Sequence, residues 1–461
     1  MKQKKEREKE ISQWPWISML PFGILAGYWG KREVRITAIS EYGFQTRLAA
    51  PATAEQKNAP WELAFYDQKT AFYQRILLRD ATFLQEKEED FDVVYTFATE
   101  QDDYRNAVQR LALQYGQYIR WKMEDDDAAL AEEMTGYPAE QDAFHLESLE
   151  EQKKVWFSGI TKETFVALQN SAAGSGQPIE LALELDRPEW YEAYLSMESA
   201  VFFDAYFRKN QIPDPPLFHP DRLYIGNAFC PHLAPTEEEL FALMDKACQE
   251  SFAVTLVFPF LLEENLSETQ ARLQHLARWC EQENKTIEIV VNDWGTAHLA
   301  AQFPVFSLCL GVLLNKRKKD PRMTYKLGDR TLFKQNSVHA AFYREYLKEE
   351  FRMERYEWES CGDTSTRKFP EGKNSLRLPF YQTNTSQYCP LYAACTEGSR
   401  GAQVPIRECP KFCERQAFLY PEHLRMVGRY NSLFGVDLTV LKRTGAMLEL
   451  RGVDRVVVNL L

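Results

Sequence analysis

Hydrophobic residues follow two different periods along the chain. Between about Glu33 and Thr99 they fall in short alternating or continuous runs separated by polar loops: VRITAISEYGFQTRL, WELAFYD, AFYQRILLRD and FDVVYTFAT. A period of two sends successive side chains to opposite faces of a strand, so this stretch predicts a small barrel or curved sheet. AVQRLALQYGQYIRWKM then changes to helical spacing. EDDDAALAEEMTGYPAEQDAFHLESLEEQKK has too few apolar residues to bury a face and predicts exposed helices or a linker. Residues 155–215 show no clear period and lead into the rigid turn PDPP at Pro213–Pro216.

From Asp221 strands and helices alternate. DRLYIGNAF, SFAVTLVFPF, KTIEIVVNDWG and PVFSLCLGVLL read as strands, with PTEEELFALMDKACQE and SETQARLQHLARWCEQEN as helices between them. SVHAAFYREYLKEEF (helix), RMERYEWES and NSLRLPFYQT (strands), LTVLKRTGAMLELRG (helix) and VDRVVVNLL (strand) continue the series. The strands are apolar enough to be buried on both faces, which is the mark of parallel βαβ repetition. The units keep coming and no dinucleotide-type GxGxxG loop appears, which favours a barrel over an open sheet. The expected fold class is α/β, a (β/α) barrel-like C-terminal domain preceded by a small β-rich domain. The expected boundaries are a basic and apolar N-terminal segment at 1–32, the β-rich domain at 33–125, a helical, acidic connecting region at 126–220 and the barrel-like domain at 221–461.

Charge narrows the function. The chain has 461 residues, with 67 acidic against 55 basic and a formal charge of -12. That gives no signal for a dedicated nucleic-acid binder. Lys316–Lys319 is a short basic run and reads as a solvated turn. MKQKKEREKE followed by WPWISMLPFGILAGYWG has the layout of a signal peptide, but the apolar run is crowded with tryptophan, proline and glycine and lacks a small-residue cleavage site. Its seventeen residues, two of them proline, are short for a membrane span. The run is read first as a buried or domain-packing segment, with a weak peripheral membrane contact through residues 14–30 as the second reading and a true anchor as the third. A cytoplasmic location, and with it reduced thiols, is the expectation.

Four of the nine cysteines lie between Tyr388 and Cys413, spaced Cys389-x5-Cys395-x13-Cys409-x3-Cys413. Thiolates converging from two short pairs can hold a zinc ion or an iron–sulfur cluster. Proline follows both Cys389 and Cys409, which keeps each leading cysteine out of helical backbone and in a turn suited to ligation. Structural zinc pairs prefer two to four intervening residues, which Cys409 and Cys413 satisfy and Cys389 and Cys395 do not. Iron–sulfur ligation tolerates such irregular spacing, so a four-iron, four-sulfur cluster is favoured, with zinc the alternative. Cys361, in ESCGD, or Cys230, in NAFCPH, could replace Cys389 or Cys395. The bland reading is that some of the four are ordinary buried small side chains.

Two resemblances bear on these motifs. ISEYGFQTRL resembles the strand entry of PilZ-type barrels, but KREVRIT does not supply that family's arginine-rich motif, so no nucleotide site is expected there. LYIGNAFCPH with its EEEL helix, IEIVVNDWG, QNSVHAAFYREY, RMERYEWES and LRLPFYQTNTSQYCPLYAAC together resemble the U32 peptidase-like family over residues 221–415. That family includes collagenase-type annotations and members tied to RNA hydroxylation and oxygen-independent ubiquinone hydroxylation, several with a four-iron, four-sulfur cluster on four cysteines. The resemblance implies Asn292, Asp293 and Gly295 at a strand end facing the pocket, Glu357 or Glu359 at another, and Cys389, Cys395, Cys409 and Cys413 as cluster ligands. The cysteine spacing and the first 220 residues depart from the family pattern.

Other side chains have competing readings. Asp293 could accept a proton or bind a polar substrate, or it could cap a helix beginning near Thr296. His232, beside Cys230, could ligate or orient a group, while His298 reads as helix surface and His339 as mid-helix packing. Arg429 and Tyr430 could close over a substrate or the cluster, or simply pack. There is no HExxH and no GxSxG. Three functions remain open: redox or hydroxylation-type chemistry on an organic or RNA substrate, supported by a redox or protein partner; a non-enzymatic scaffold stapled by zinc or a cluster; and peptidase activity by family analogy, which fold likeness alone does not license.

Overall fold

The computed structural model describes residues 11–18, 24–67, 72–89, 92–123, 143–160, 164, 168, 179–212, 219–317, 319, 335–361, 369–398, 400–420, 425–442 and 452–461. The chain divides into two compact units, Met1–Gln141 with Arg322–Leu332 and Asp142–Pro321 with Phe333–Leu461.

The first unit contains β1 (Ile17–Ser18), β2 (Leu25–Trp29), β3 (Arg32–Ser40), β4 (Gly43–Leu48), β5 (Trp61–Asp67), β6 (Phe72–Leu78), β7 (Thr82–Glu88) and β8 (Val93–Ala98). They form one antiparallel sheet in the order β6-β5-β2-β3-β4-β8-β7, with β1 on β3. The apolar run after Trp14 therefore enters the sheet: β2 is buried along its whole length, and Trp29 stacks on Trp61 at 4.8 Å. No described helix is long and apolar enough to cross a membrane. The helix Asp102–Met123 buries Tyr104, Ala107, Val108 and Leu111, one stripe at helical spacing. Tyr104 Oη donates to the carbonyls of Ser40 at 2.8 Å and Gly43 at 2.7 Å, tying the helix to the β3–β4 turn. The core of the acidic connecting region, residues 124–142, lies outside the described residues.

In the second unit β9 (Ala143–His145) precedes β10 (Glu180–Leu185), β11 (Arg222–Gly226), β12 (Ala253–Val257), β13 (Ile287–Val291), β14 (Phe306–Leu310), β15 (Arg355–Glu359) and β16 (Lys373–Thr385). β17 (Gln416–Leu419), β18 (Met426–Arg429), β19 (Ser432–Val436) and β20 (Arg455–Asn459) follow. β10 to β16 pair in sequence, β16 pairs with β20, and β20 returns to β10, all in parallel, so eight strands close a barrel. The far half of β16 leaves the ring and pairs antiparallel with β19, which continues through β18 and β17 to β9 as a side sheet.

The barrel thus opens at Glu180, upstream of Asp221, where the sequence reading begins it. Residues 155–215 hide its first strand because ELALEL is short and carries two glutamates. Three of the helices predicted after Asp221 are present, whereas of LTVLKRTGAMLELRG only Thr439–Lys442 is described as helix and residues 443–451 lie outside the described residues. Thr236 and Glu239 form a reciprocal capping box at 3.2 and 2.8 Å, and the helix Glu237–Gln249 buries Leu240, Leu243, Met244 and Ala247. The helix Leu266–Gln282 buries Leu273, Leu276, Ala277 and Cys280 in the same spacing, so Cys280 is a core residue, as is Cys309 on β14. His339 is not mid-helix: it lies in a short 3-10 turn, where its Nδ1 accepts from Asn336 N at 2.8 Å and its ring packs edge-on against Trp358.

Strand alternation decides what fills the barrel. Ile287, Ile289 and Val291 of β13 are buried, and between them stands Glu288. Arg455 of β20 donates to Glu288, and its Nε lies 2.5 Å from Glu180 of β10. Arg355 of β15 approaches Glu288 at 3.3 Å and Asp454 at 2.7 Å, while Arg222 of β11 holds Glu180 at 2.7 Å. β13 and β20 are not neighbours in the ring, so the pair can meet only across its interior. Burial pushes the Glu288 carboxyl up, but Arg455, Arg355 and Arg222 outweigh it and hold the group at about 2. Its folded value lies below its unfolded one, so it stabilises above the usual carboxylate range and loses that contribution as pH falls through about 2. Arg455→Ala leaves Glu288 buried with weaker partners and is expected to cost about 3–5 kcal/mol in urea unfolding, with acid unfolding moved to higher pH. A loss under about 1 kcal/mol would show that the network contributes little.

Candidate functional site

Sites in parallel barrels gather where strands end and connections begin. Here the connection after β11 meets the long insertion between β16 and β20. Gly226 ends β11 at φ 119°, and a Cβ there would stand 2.2 Å from the Val257 carbonyl, so this close approach admits only glycine. Asn227 is buried and shapes the next turn: its Oδ1 accepts from Phe229 N and Cys230 N, both at 2.8 Å, and its Nδ2 donates to the Asp186 carbonyl at 2.9 Å. The insertion is joined to this turn by Asn431, whose Nδ2 donates to the Phe229 carbonyl at 2.6 Å and the Ser386 carbonyl at 2.8 Å. Phe229 packs edge-on against Phe434 at 5.1 Å.

These contacts bring Cys230 beside the cysteine-rich segment. Burial raises the Cys230 thiol far above its ordinary value, and Cys413, Cys389 and Cys409 add to that as neighbours. Burial likewise lifts Cys389 to about 11 and Cys413 to about 12, and it raises Cys409. Backbone N–H groups oppose the rise at three of the four. His232 N–H points to the Cys230 sulfur, Tyr392 N donates to Cys389 Sγ at 3.4 Å, and Lys411 N donates to Cys409 Sγ at 3.4 Å. Cys389 also caps the helix Pro390–Glu397, whose first position is filled by the proline that follows it. A cavity of about 180 Å³ opens beside Cys230 and Cys389, lined also by His232, Glu264, Tyr388 and Asn431.

Cys395 is engaged differently. Its Sγ donates to Gln416 Oε1 at 2.8 Å, and burial alone raises it. Cys361 lies among other charges, those of Arg317, Lys319, Glu359 and Asp437. Among the described residues no three Cys, His, Asp or Glu side chains stand close enough to grip one metal ion.

Tyr430 holds the turn between β18 and β19 at φ 60°, a left-handed conformation uncommon for tyrosine. Its carbonyl accepts from Cys389 Sγ at 3.2 Å, and its phenol donates to Asp186 Oδ2 at 2.9 Å. Arg187 braces the same phenol at 3.3 Å and Asp186 at 2.9 Å. Arg429, also buried, donates to the Leu461 main-chain oxygen at 2.7 Å. Both residues therefore pack in place, and Tyr430 links the cysteine cavity to the end of β10.

The remaining candidates from sequence lie elsewhere. Asp293 caps the helix Trp294–Ala301: its Oδ1 accepts from Thr296 N at 2.9 Å, and its Oδ2 accepts from Thr296 Oγ1 at 2.7 Å and Leu261 N at 3.1 Å. Asn292 is buried and joins strand ends, donating to the Phe258 carbonyl at 2.9 Å. His232 is half-buried, and burial lowers its imidazole. Glu357 is fully buried in the barrel, where Tyr224 Oη donates to it at 2.9 Å. Glu359 is buried near the mouth, paired with Lys319. Sequence reasoning missed Glu184, Arg377, Glu288 and Arg455. Their signal was present: a charge at alternate positions in strands that otherwise read as apolar.

The Asp293 geometry predicts that Asp293→Ala lowers stability by about 1 kcal/mol, while Asp293→Asn retains most of it. Thermal unfolding of both variants checks this. Equal losses from both would mean that the cap is not what the side chain supplies.

No family model and no curated protein matches this chain. Among solved structures, an uncharacterized protein of Legionella is similar at 15% identity over 23% of this chain and 96% of its own, with a TM-score of 0.16, which carries no argument.

Proposed function

We propose that the second unit holds an iron–sulfur cluster on Cys230, Cys389, Cys409 and Cys413. The observation that supports this reading is that Cys230 and Cys389, from two distant segments, line one cavity, with Cys409 and Cys413 near enough to influence the Cys230 thiol and backbone N–H groups directed at three of the four sulfurs. Hydrogen bonds to sulfur favour the thiolate form and tune a cluster's potential. Buried thiols with mutually raised values are poor thiolates alone, and a cationic centre is what would deprotonate them. The all-sulfur donor set suits iron–sulfur or zinc. Cys395, committed to Gln416, is left out of the set.

When bound, a cluster would supply one-electron chemistry or polarise a substrate. The chain's own residues shape its surroundings. Asn227 and Asn431 fix the two segments, Tyr430 ties the cavity to Asp186, and His232 and Tyr388 line the entrance. The function these features support best is that of a U32-like iron–sulfur barrel protein serving redox or hydroxylation-type chemistry on an organic or RNA substrate.

Metal analysis of single variants tests the ligand set. Cys230→Ala and Cys413→Ala are expected to lose most of their iron and acid-labile sulfide after anaerobic purification, while Cys395→Ala keeps them. Loss in Cys395→Ala with retention in Cys230→Ala would overturn the assignment. Zinc bound in place of iron would move the reading to a stapled scaffold.

A further inference from the structure

Above the arginine-rich layer of the barrel the charge balance reverses. Glu184 of β10 and Glu357 of β15 both face Arg377 of β16. Arg377 Nη2 donates to Glu184 Oε1, and its Nη1 lies 3.8 Å from Glu357 Oε2. All three side chains are at most 3% exposed. Tyr224 Oη donates to Glu357 Oε1, but Glu184 Oε2 and Glu357 Oε2 have no hydrogen-bond partner among the described residues.

The surrounding charges do not close this gap. Asp186, just past the end of β10, adds a negative charge and is engaged with Arg187 and Tyr430. Below Glu357, Arg455 contributes positive charge, but Glu288 and Glu180 already hold it. One guanidinium is therefore set against two carboxylates away from water. An ionised carboxylate left unpaired in such a place costs several kcal/mol, and two that share a site do not both ionise. The two unpartnered oxygens are also the positions where a carboxyl proton would reside.

We propose that Glu184 and Glu357 hold one proton between them across Arg377 at neutral pH, making the upper lumen a proton store whose emptying destabilises the barrel. This is independent of the cysteine site. Burial pushes Glu184 up to about 7 against the pull of Arg377, with Asp186 adding to the rise. Burial also raises Glu357, against Arg377 and Arg455. The folded value is above the unfolded one, so the folded state holds more protons between the ordinary carboxylate range and about 7. Stability from this source is therefore present at low pH, falls as pH rises through that window and levels off above it. The pair titrates as a unit, so the apparent value belongs to both groups.

Infrared titration of the full chain, with unfolding measured from about pH 5 to about pH 9, tests the proposal. Wild type should show a protonated buried carboxyl band near neutral pH that disappears on alkalinisation. Glu184→Gln places an amide where the proton would sit, keeps an acceptor for Arg377, and should remove both the band and the fall in stability as pH rises toward about 7. Glu357→Gln is the second variant and should do the same if the proton is shared. No protonated carboxyl band in wild type at neutral pH, or a wild-type stability difference from Glu184→Gln that is the same at both ends of the range, would overturn it.

Discussion

A closed ring of eight strands turns its inward-facing charges toward one another. That constraint organises the second unit. Arg222, Arg355 and Arg455 meet Glu180, Glu288 and Asp454 at the lower end of the barrel, and the pairs of Glu288 with Arg355 and Arg455 cross between strands that are not neighbours. A buried ion pair is not by itself strong evidence for stability, because desolvation can cancel the attraction. Its clearer consequence is that no one partner can be removed cheaply, so the strands that carry these charges must close in one register. The barrel then presents fixed strand ends, and everything proposed about function rests on those ends.

The cysteine site depends on that fixed frame. Cys230 comes from the turn after the second barrel strand, whereas Cys389, Cys409 and Cys413 come from the insertion after the seventh. Gly226 lets the first segment turn closely over Val257, Asn227 sets the position of Cys230 N–H, and Asn431 joins that turn to Ser386. Tyr430 connects the same turn to Asp186, one residue beyond the first barrel strand. The elements that align the thiols are thus polar, buried and fully engaged. Such groups position a site without themselves carrying out chemistry.

The strands from Asp221 onward and the amphipathic helices were legible because burial on one stripe or both faces imposes a period. Leu240, Leu243, Met244 and Ala247 show this directly. The first barrel strand was not legible, since Glu180 and Glu184 face the lumen and break its apolar run. The Cys389 to Cys413 cluster stood out by spacing, but spacing along the chain could not show that Cys395 bonds to Gln416 or that Cys230 lies beside the other three. Asp293 and Asn292 illustrate a different limit. A polar residue at a strand end serves substrate binding and helix capping equally well in sequence, and only the bonds to Thr296 and Phe258 distinguish the two.

The central claim is that these four thiols hold a cluster. It is tested most directly by spectroscopy of the full chain, purified without oxygen and examined by electron paramagnetic resonance before and after dithionite. The account predicts iron and sulfide near four of each per chain, a broad visible absorption that bleaches on reduction, and a reduced-state signal. Protein kept reduced throughout that contains neither iron nor sulfide and gives no such signal would contradict it.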